Sequence, residues 1–162
     1  MLKPDRVAII ESNDYFITTT GDAGRVAFQG TGTQAVGNGL DSTNNKIEYV
    51  NSIAISGRKA VGIVMNPVVN IDLSRQQLNP YNEEKQVNSK VLVYAVGEVM
   101  TNCWGSGQLA TSVQVPATVY AGPSGLLYTD NFSGSGWPTV GKALTGKDAD
   151  GYAKVRVDVA GN

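Results

Sequence analysis

No window of about twelve residues in this chain repeats its apolar positions at the 3.6-residue period of a helix. The last segment shows what takes its place. Residues 152–159 alternate strictly, with Ala153, Val155, Val157 and Val159 on one face and Tyr152, Lys154, Arg156 and Asp158 on the other. A period of two is that of a strand with one wet face. Similar runs rich in Val, Ile, Thr and Tyr recur at 6–10, 15–19, 47–55, 60–65, 68–73, 91–101, 114–120, 126–129 and 139–144. Gly, Asn, Pro and Ser separate them, as turn residues separate strands. The pattern predicts an all-β fold of the barrel or sandwich type, with at most a helical turn or two.

The 162 residues suffice for one domain with a real core. Charged residues make up only 17% and the formal net charge is −1. That balance leaves no electrostatic footprint for nucleic acid or an anionic membrane, so neither is expected as a partner. There is one cysteine, Cys103, and no histidine. An intrachain disulfide, a His/Cys zinc site and any imidazole base are therefore excluded. Cys103 reads as a small buried hydrophobe. The N-terminus lacks the apolar stretch of a secretory signal, and no apolar run reaches the ~20 residues of a membrane span. Cytoplasmic synthesis is the expectation.

Residues 20–45 are rich in Gly, Thr, Asn and Gln and poor in apolar side chains. A segment of that composition does not offset its own ordering entropy. The expected division is an N-terminal arm over 1–45 and a β-domain over 46–162. Residues 74–90 form a second polar stretch, read as a solvated loop, with the only acidic doublet at Glu83-Glu84. Residues 102–110 read as a surface loop holding Trp104 as an anchor. No repeat with a period of about 20–50 residues appears. There is one short echo, Ala60-Val61-Gly62-Ile63 against Thr139-Val140-Gly141-Lys142.

One motif bears on catalysis. Gly141 to Asp148 reads G-K-A-L-T-G-K-D, which differs from the phosphate loop G-x-x-x-x-G-K-[ST] in its last residue. A phosphate loop needs a following helix, whereas the strand-like 152–159 run follows here. Asp148-Ala149-Asp150-Gly151 also resembles the opening of a calcium loop, but its twelfth position is Val159 rather than Glu. Asp150-Gly151 is better read as the turn of a closing hairpin. A second hairpin is expected around residues 121–125. Asn131-Phe132-Ser133 fits a glycosylation sequon formally. The acidic residues are scattered and show no catalytic pair at a fixed spacing, so no enzymatic activity and no cofactor or metal are expected.

The C-terminal two-thirds carries a further pattern. Ala60 to Met65 forms a Val-Gly strand, and Val93-Tyr94-Ala95-Val96-Gly97-Glu98-Val99 follows an apolar strand. Then come Pro116-Ala117-Thr118-Val119-Tyr120 and Gly125-Leu126-Leu127-Tyr128. The end is Val140-Gly141-Lys142-Ala143-Leu144 followed by Asp150-Gly151-Tyr152 and the final strand. In this arrangement the chain resembles the capsid decoration, or cement, proteins of tailed bacteriophages. The resemblance implies a β-barrel-like or sandwich-like domain with an extended arm. It implies a homotrimer on the outside of an icosahedral head, at three-fold or quasi-three-fold positions, clamping neighbouring major capsid subunits. Phe16, Tyr81, Trp104 and Trp137 are the interface candidates, as aromatics in or near irregular stretches. A competing expectation is a fibre or receptor-binding β-domain, with Trp104 and Tyr128 stacking on sugar rings.

Overall fold

The computed structural model describes residues 2–30, 46–50, 55–71, 83–109, 114–130 and 136–159, with the side chains of 2–6 excepted. The strands are β1 (Leu2–Ile17), β2 (Val26–Gln29), β3 (Lys46–Glu48), β4 (Ala60–Val64), β5 (Val68–Val69) and β6 (Lys85–Gln86). They continue as β7 (Lys90–Thr101), β8 (Ala117–Ala121), β9 (Leu127–Tyr128), β10 (Thr139–Ala143) and β11 (Ala153–Asp158). A single 3-10 turn at Pro123–Gly125 is the helical content of the described residues. The chain is all-β.

Nine strands form one sheet in the order β1-β3-β2-β4-β7-β11-β10-β8-β9, and β1 also pairs with β7. That extra pairing closes β1, β3, β2, β4 and β7 into a ring. Each strand of the ring places a buried side chain in one small core: Ile17, Ile47, Ala27, Val64, and Val91 with Val93. Beyond the ring, β7 continues into an open sheet with β11, β10, β8 and β9. The larger core lies between that sheet and the other face of the ring. It joins Val26, Phe28, Ile63, Tyr94 and Val99 to Val119, Leu127, Val140, Val155 and Val157. β2 and β4 are thus covered on both faces, since Ala27 and Val64 point one way and Phe28 and Ile63 the other.

This packing does not divide near residue 46. β1 runs antiparallel along β7 from Leu2↔Thr101 to Phe16↔Lys90. Ile17, Val26, Ala27 and Phe28 are fully buried. The described part of the expected arm is therefore built into the β-domain. Averaging the polar composition of residues 20–45 hid the four-residue run Val26-Ala27-Phe28-Gln29, which is long enough to be a strand. Residues 31–45 lie outside the described residues. The two expected strands at 6–10 and 15–19 are one strand, because β7 supplies partners along the whole of it.

Both expected hairpins form. β8 and β9 pair through Tyr120↔Tyr128 and Ala121↔Leu127 across the Pro123–Gly125 turn. β10 and β11 pair through Gly141↔Val157 and Ala143↔Val155. In β11 the alternation is as read, with Ala153, Val155 and Val157 buried and Arg156 and Asp158 exposed. Tyr152, expected on the wet face, is buried instead, because it precedes the strand and belongs to the turn.

The Val-Gly echo has a local cause. In β4 the partner of Ala27 is Gly62 and that of Phe28 is Ala60, so Val61 is an extra residue. In β10 Thr139 pairs with Tyr120 and Gly141 with Val119, so Val140 is extra. Each is a one-residue bulge with glycine beside it. Gly62 and Gly141 sit at φ 149° and 156°, and a Cβ there would overlap the carbonyl oxygens of Tyr94 and Arg156 respectively.

Candidate functional site

The G-K-A-L-T-G-K-D octet resolves into the end of β10 and the turn before β11. The Asp148 carboxylate accepts hydrogen bonds from the backbone N–H of Asp150 (3.0 Å) and of Tyr152 (2.8 Å). Asp148 N–H donates to the Tyr152 carbonyl at 2.8 Å. Gly151 takes φ 82°, the left-handed conformation such a turn requires. A strand follows where a phosphate loop would need a helix N-terminus. The carboxylate is occupied in closing the hairpin, as the Asp-Gly reading predicted.

Three of the four aromatic candidates fall within the described residues. Trp104 is 7% exposed, and its indole N–H donates to the Thr101 carbonyl at 2.9 Å. The loop that carries it is not a free surface loop. Leu127 N–H donates to Cys103 O and Gly105 N–H to Leu127 O, both at 2.9 Å, which fastens 103–105 alongside β9. Cys103 is buried, as its reading as a small hydrophobe required. Trp137 is also 7% exposed and meets Tyr128 edge-to-face at 5.0 Å. Both tryptophans are core residues, and this corrects their expected place at an interface. Their neighbours among the glycines had suggested exposed loops, but a Cβ at Gly105 or at Gly122 would run into the Tyr128 ring, so these glycines make room for packing. Trp104 offers no open ring face for a sugar. Phe16 is half-buried on β1, with the Lys90 ammonium 5.6 Å from its ring centre. Tyr81 lies outside the described residues, as does the Asn131 sequon.

What the sheet does expose is its outer face. Strand register sets a row of side chains across five strands: Thr118, Lys142, Arg156, Glu98 and Val7. Glu98 accepts from Arg156 Nε (3.2 Å) and Nη2 (2.9 Å), and Lys154 Nζ stands 3.1 Å away. A shallow depression of about 420 Å³ lies among Thr118, Thr139, Lys142 and Arg156. A second, about 390 Å³, lies among Val7, Ile9, Val96 and Arg156. Asp158 lines both depressions beside Arg156, so the face grades from mixed charge at β10 and β11 to apolar at β1. Val7, Ile9 and Ile10 are 53%, 72% and 49% exposed, and together they form the apolar patch on β1. Sequence reading missed this patch because Val-Ala-Ile-Ile was taken as an arm. The signal was present as an apolar run between charged residues.

The hydrogen bonds from Arg156, and next those from Lys154, hold the Glu98 carboxyl below its ordinary value of 4.5. A group whose folded pKa is depressed contributes stability above its unfolded pKa. That contribution is lost as pH falls through the folded value. Glu98→Gln is therefore expected to flatten the decline in stability below about pH 4.5 and leave the slope near neutrality unchanged. Denaturant unfolding of both proteins across that range checks it, and parallel pH profiles would count against the ion-pair assignment.

A third depression, about 290 Å³, is lined by Thr18, Thr19, Thr20, Tyr49, Asn70 and Val87. Burial holds the Tyr49 phenol well above its ordinary pKa, so it stays neutral. Among the described residues no three His, Cys, Asp or Glu side chains cluster as metal ligands would. Comparison with protein-family models and with curated proteins finds no match in either.

Proposed function

We propose that the protein is a structural component of a bacteriophage virion, a capsid decoration protein. It binds the outer surface of an icosahedral head as a trimer at three-fold or quasi-three-fold positions. There it clamps adjacent major capsid subunits and stabilises the shell. The observation that carries this reading is the exposed outer sheet face, charged at β10 and β11 and apolar at β1. Apolar patches rimmed by charge mark surfaces that dock other proteins. The ordered series of Val-Gly, Gly-Glu-Val and closing-hairpin motifs supplies the resemblance to decoration proteins. Binding in this reading needs no catalytic group.

Undecorated heads incubated with the purified protein and then pelleted provide the test. Saturable co-sedimentation is expected, together with raised resistance of the shell to heat. Heads that pellet without the protein would refute the proposal.

A further inference from the structure

The depression lined by Thr18, Thr19, Thr20, Tyr49, Asn70 and Val87 shares no residue with the outer row or with its two depressions. Its position follows from two parallel strand pairs. β1 runs parallel to β3, and β5 to β6, so each pair delivers two C-terminal ends together. Thr18 directly follows β1, Tyr49 follows β3, Asn70 follows β5 and Val87 follows β6. Backbone bonds fasten the two pairs to each other. Gly21 N–H donates to the Val68 carbonyl at 3.0 Å, and Val68 N–H donates back to the Gly21 carbonyl at 2.8 Å. Asn88 N–H donates to the Ile17 carbonyl at 2.7 Å. The walls are thereby set before any ligand arrives, which lowers the ordering cost of binding.

The described lining is polar and uncharged. Thr18 Oγ1 donates to the Ile47 carbonyl at 3.2 Å, which leaves its lone pairs to accept. Thr19 Oγ1 accepts from Tyr49 N–H at 2.7 Å, which leaves its own hydrogen to donate. Thr20 and Asn70 are exposed, and their side chains make no hydrogen bond among the described residues. The Tyr49 ring offers no stacking platform. It is 3% exposed, and a Cβ at Gly21 or Gly125 would run into it. A planar aromatic ligand therefore finds no open ring face, and an ion finds no opposite charge on the lining residues. What the lining suits is a neutral ring whose hydroxyls each donate and accept. A volume of about 290 Å³ is at the small end for ligand sites, which run from about 300 Å³ upward, and takes one ring rather than a chain. We propose that this depression binds a single neutral sugar residue, hydrogen-bonded by Thr18, Thr19, Thr20 and Asn70. The exposed rim at Thr20 and Asn70 admits a free monosaccharide or the terminal residue of a glycan.

The test is saturation-transfer NMR on the full-length chain. The probes are D-glucose, D-galactose, D-mannose and N-acetyl-D-glucosamine, each free and as its methyl glycoside. At least one sugar is expected to receive saturation. A methyl glycoside that binds as well as its free sugar points to the end of a glycan as the source, and a silent glycoside points to the free sugar. Thr20→Val and Asn70→Ala are each expected to weaken binding by about fivefold or more, as the loss of one hydrogen bond does. Both positions are exposed, so both variants keep the fold, which circular dichroism verifies. Thr118→Val, in a depression of the outer face, is expected to leave binding unchanged. D-Glucuronate is expected to bind no more tightly than D-glucose. Absence of saturation for every sugar overturns the proposal, as does binding that survives both Thr20→Val and Asn70→Ala, or tighter binding of glucuronate. Heads that fail to take up the protein would leave this site standing, because it shares no residue with the outer row.

Discussion

Phe28→Ala is expected to destabilise the protein by about 3–5 kcal/mol, the usual cost of removing a buried aromatic ring. Phe28 is fully buried, in the core that joins the five-strand ring to the open sheet. Its strand is covered on both faces, so collapse around the lost ring is limited and a cavity remains. Guanidinium unfolding measures the loss as a fall in midpoint at an unchanged slope. Val115→Ala serves as the reference, because Val115 is 41% exposed and its truncation is expected to change stability by no more than about 0.5 kcal/mol. An arm lying outside the fold would give the opposite result, with Phe28→Ala as silent as Val115→Ala.

Gly141→Ala is expected to cost about 2–4 kcal/mol, although it adds a single methyl group. Gly141 adopts φ 156° beside the β10 bulge, and its Cβ would overlap the carbonyl oxygen of Arg156 on β11. Backbone on the facing strand cannot rotate away as a flexible side chain can. The clash must spread into the β10–β11 ladder, at Gly141↔Val157 and its neighbours. Gly146→Ala, where a Cβ meets nothing within 4 Å, is the matched control and should change stability by no more than about 0.5 kcal/mol. Equal midpoints for the two variants in denaturant unfolding would remove the bulge from the account.

The strands were legible wherever the chain alternates or runs apolar between turn residues. β11 and both C-terminal hairpins could be placed because Asp150-Gly151 and Pro123-Ser124-Gly125 announce their turns locally. β2 and β6 were not legible. Val26-Ala27-Phe28-Gln29 is buried on both faces, so it carries no alternation, and its polar surroundings mask it. Lys85-Gln86 has no strand signature and pairs with β5 only because Val68-Val69 lies beside it. The closure of the ring depends on β1 meeting both β3 and β7, contacts far apart in sequence that local pattern does not encode. The aromatic candidates were misplaced for a related reason. Aromatic residues beside glycines were read as exposed, but Trp104 and Trp137 fill the core. The outer row of Thr118, Lys142, Arg156, Glu98 and Val7 comes from five strands, and only their pairing assembles it.

The proposed clamp fixes a location as well as an affinity. Heads saturated with the purified protein and reconstructed by electron cryomicroscopy test it most directly. The account predicts added density on the outer surface at three-fold and quasi-three-fold positions, three copies to a site, with the sheet face carrying Arg156 and Val7 against neighbouring capsid subunits. An undecorated surface, or density confined to the tail or its fibres, would contradict it.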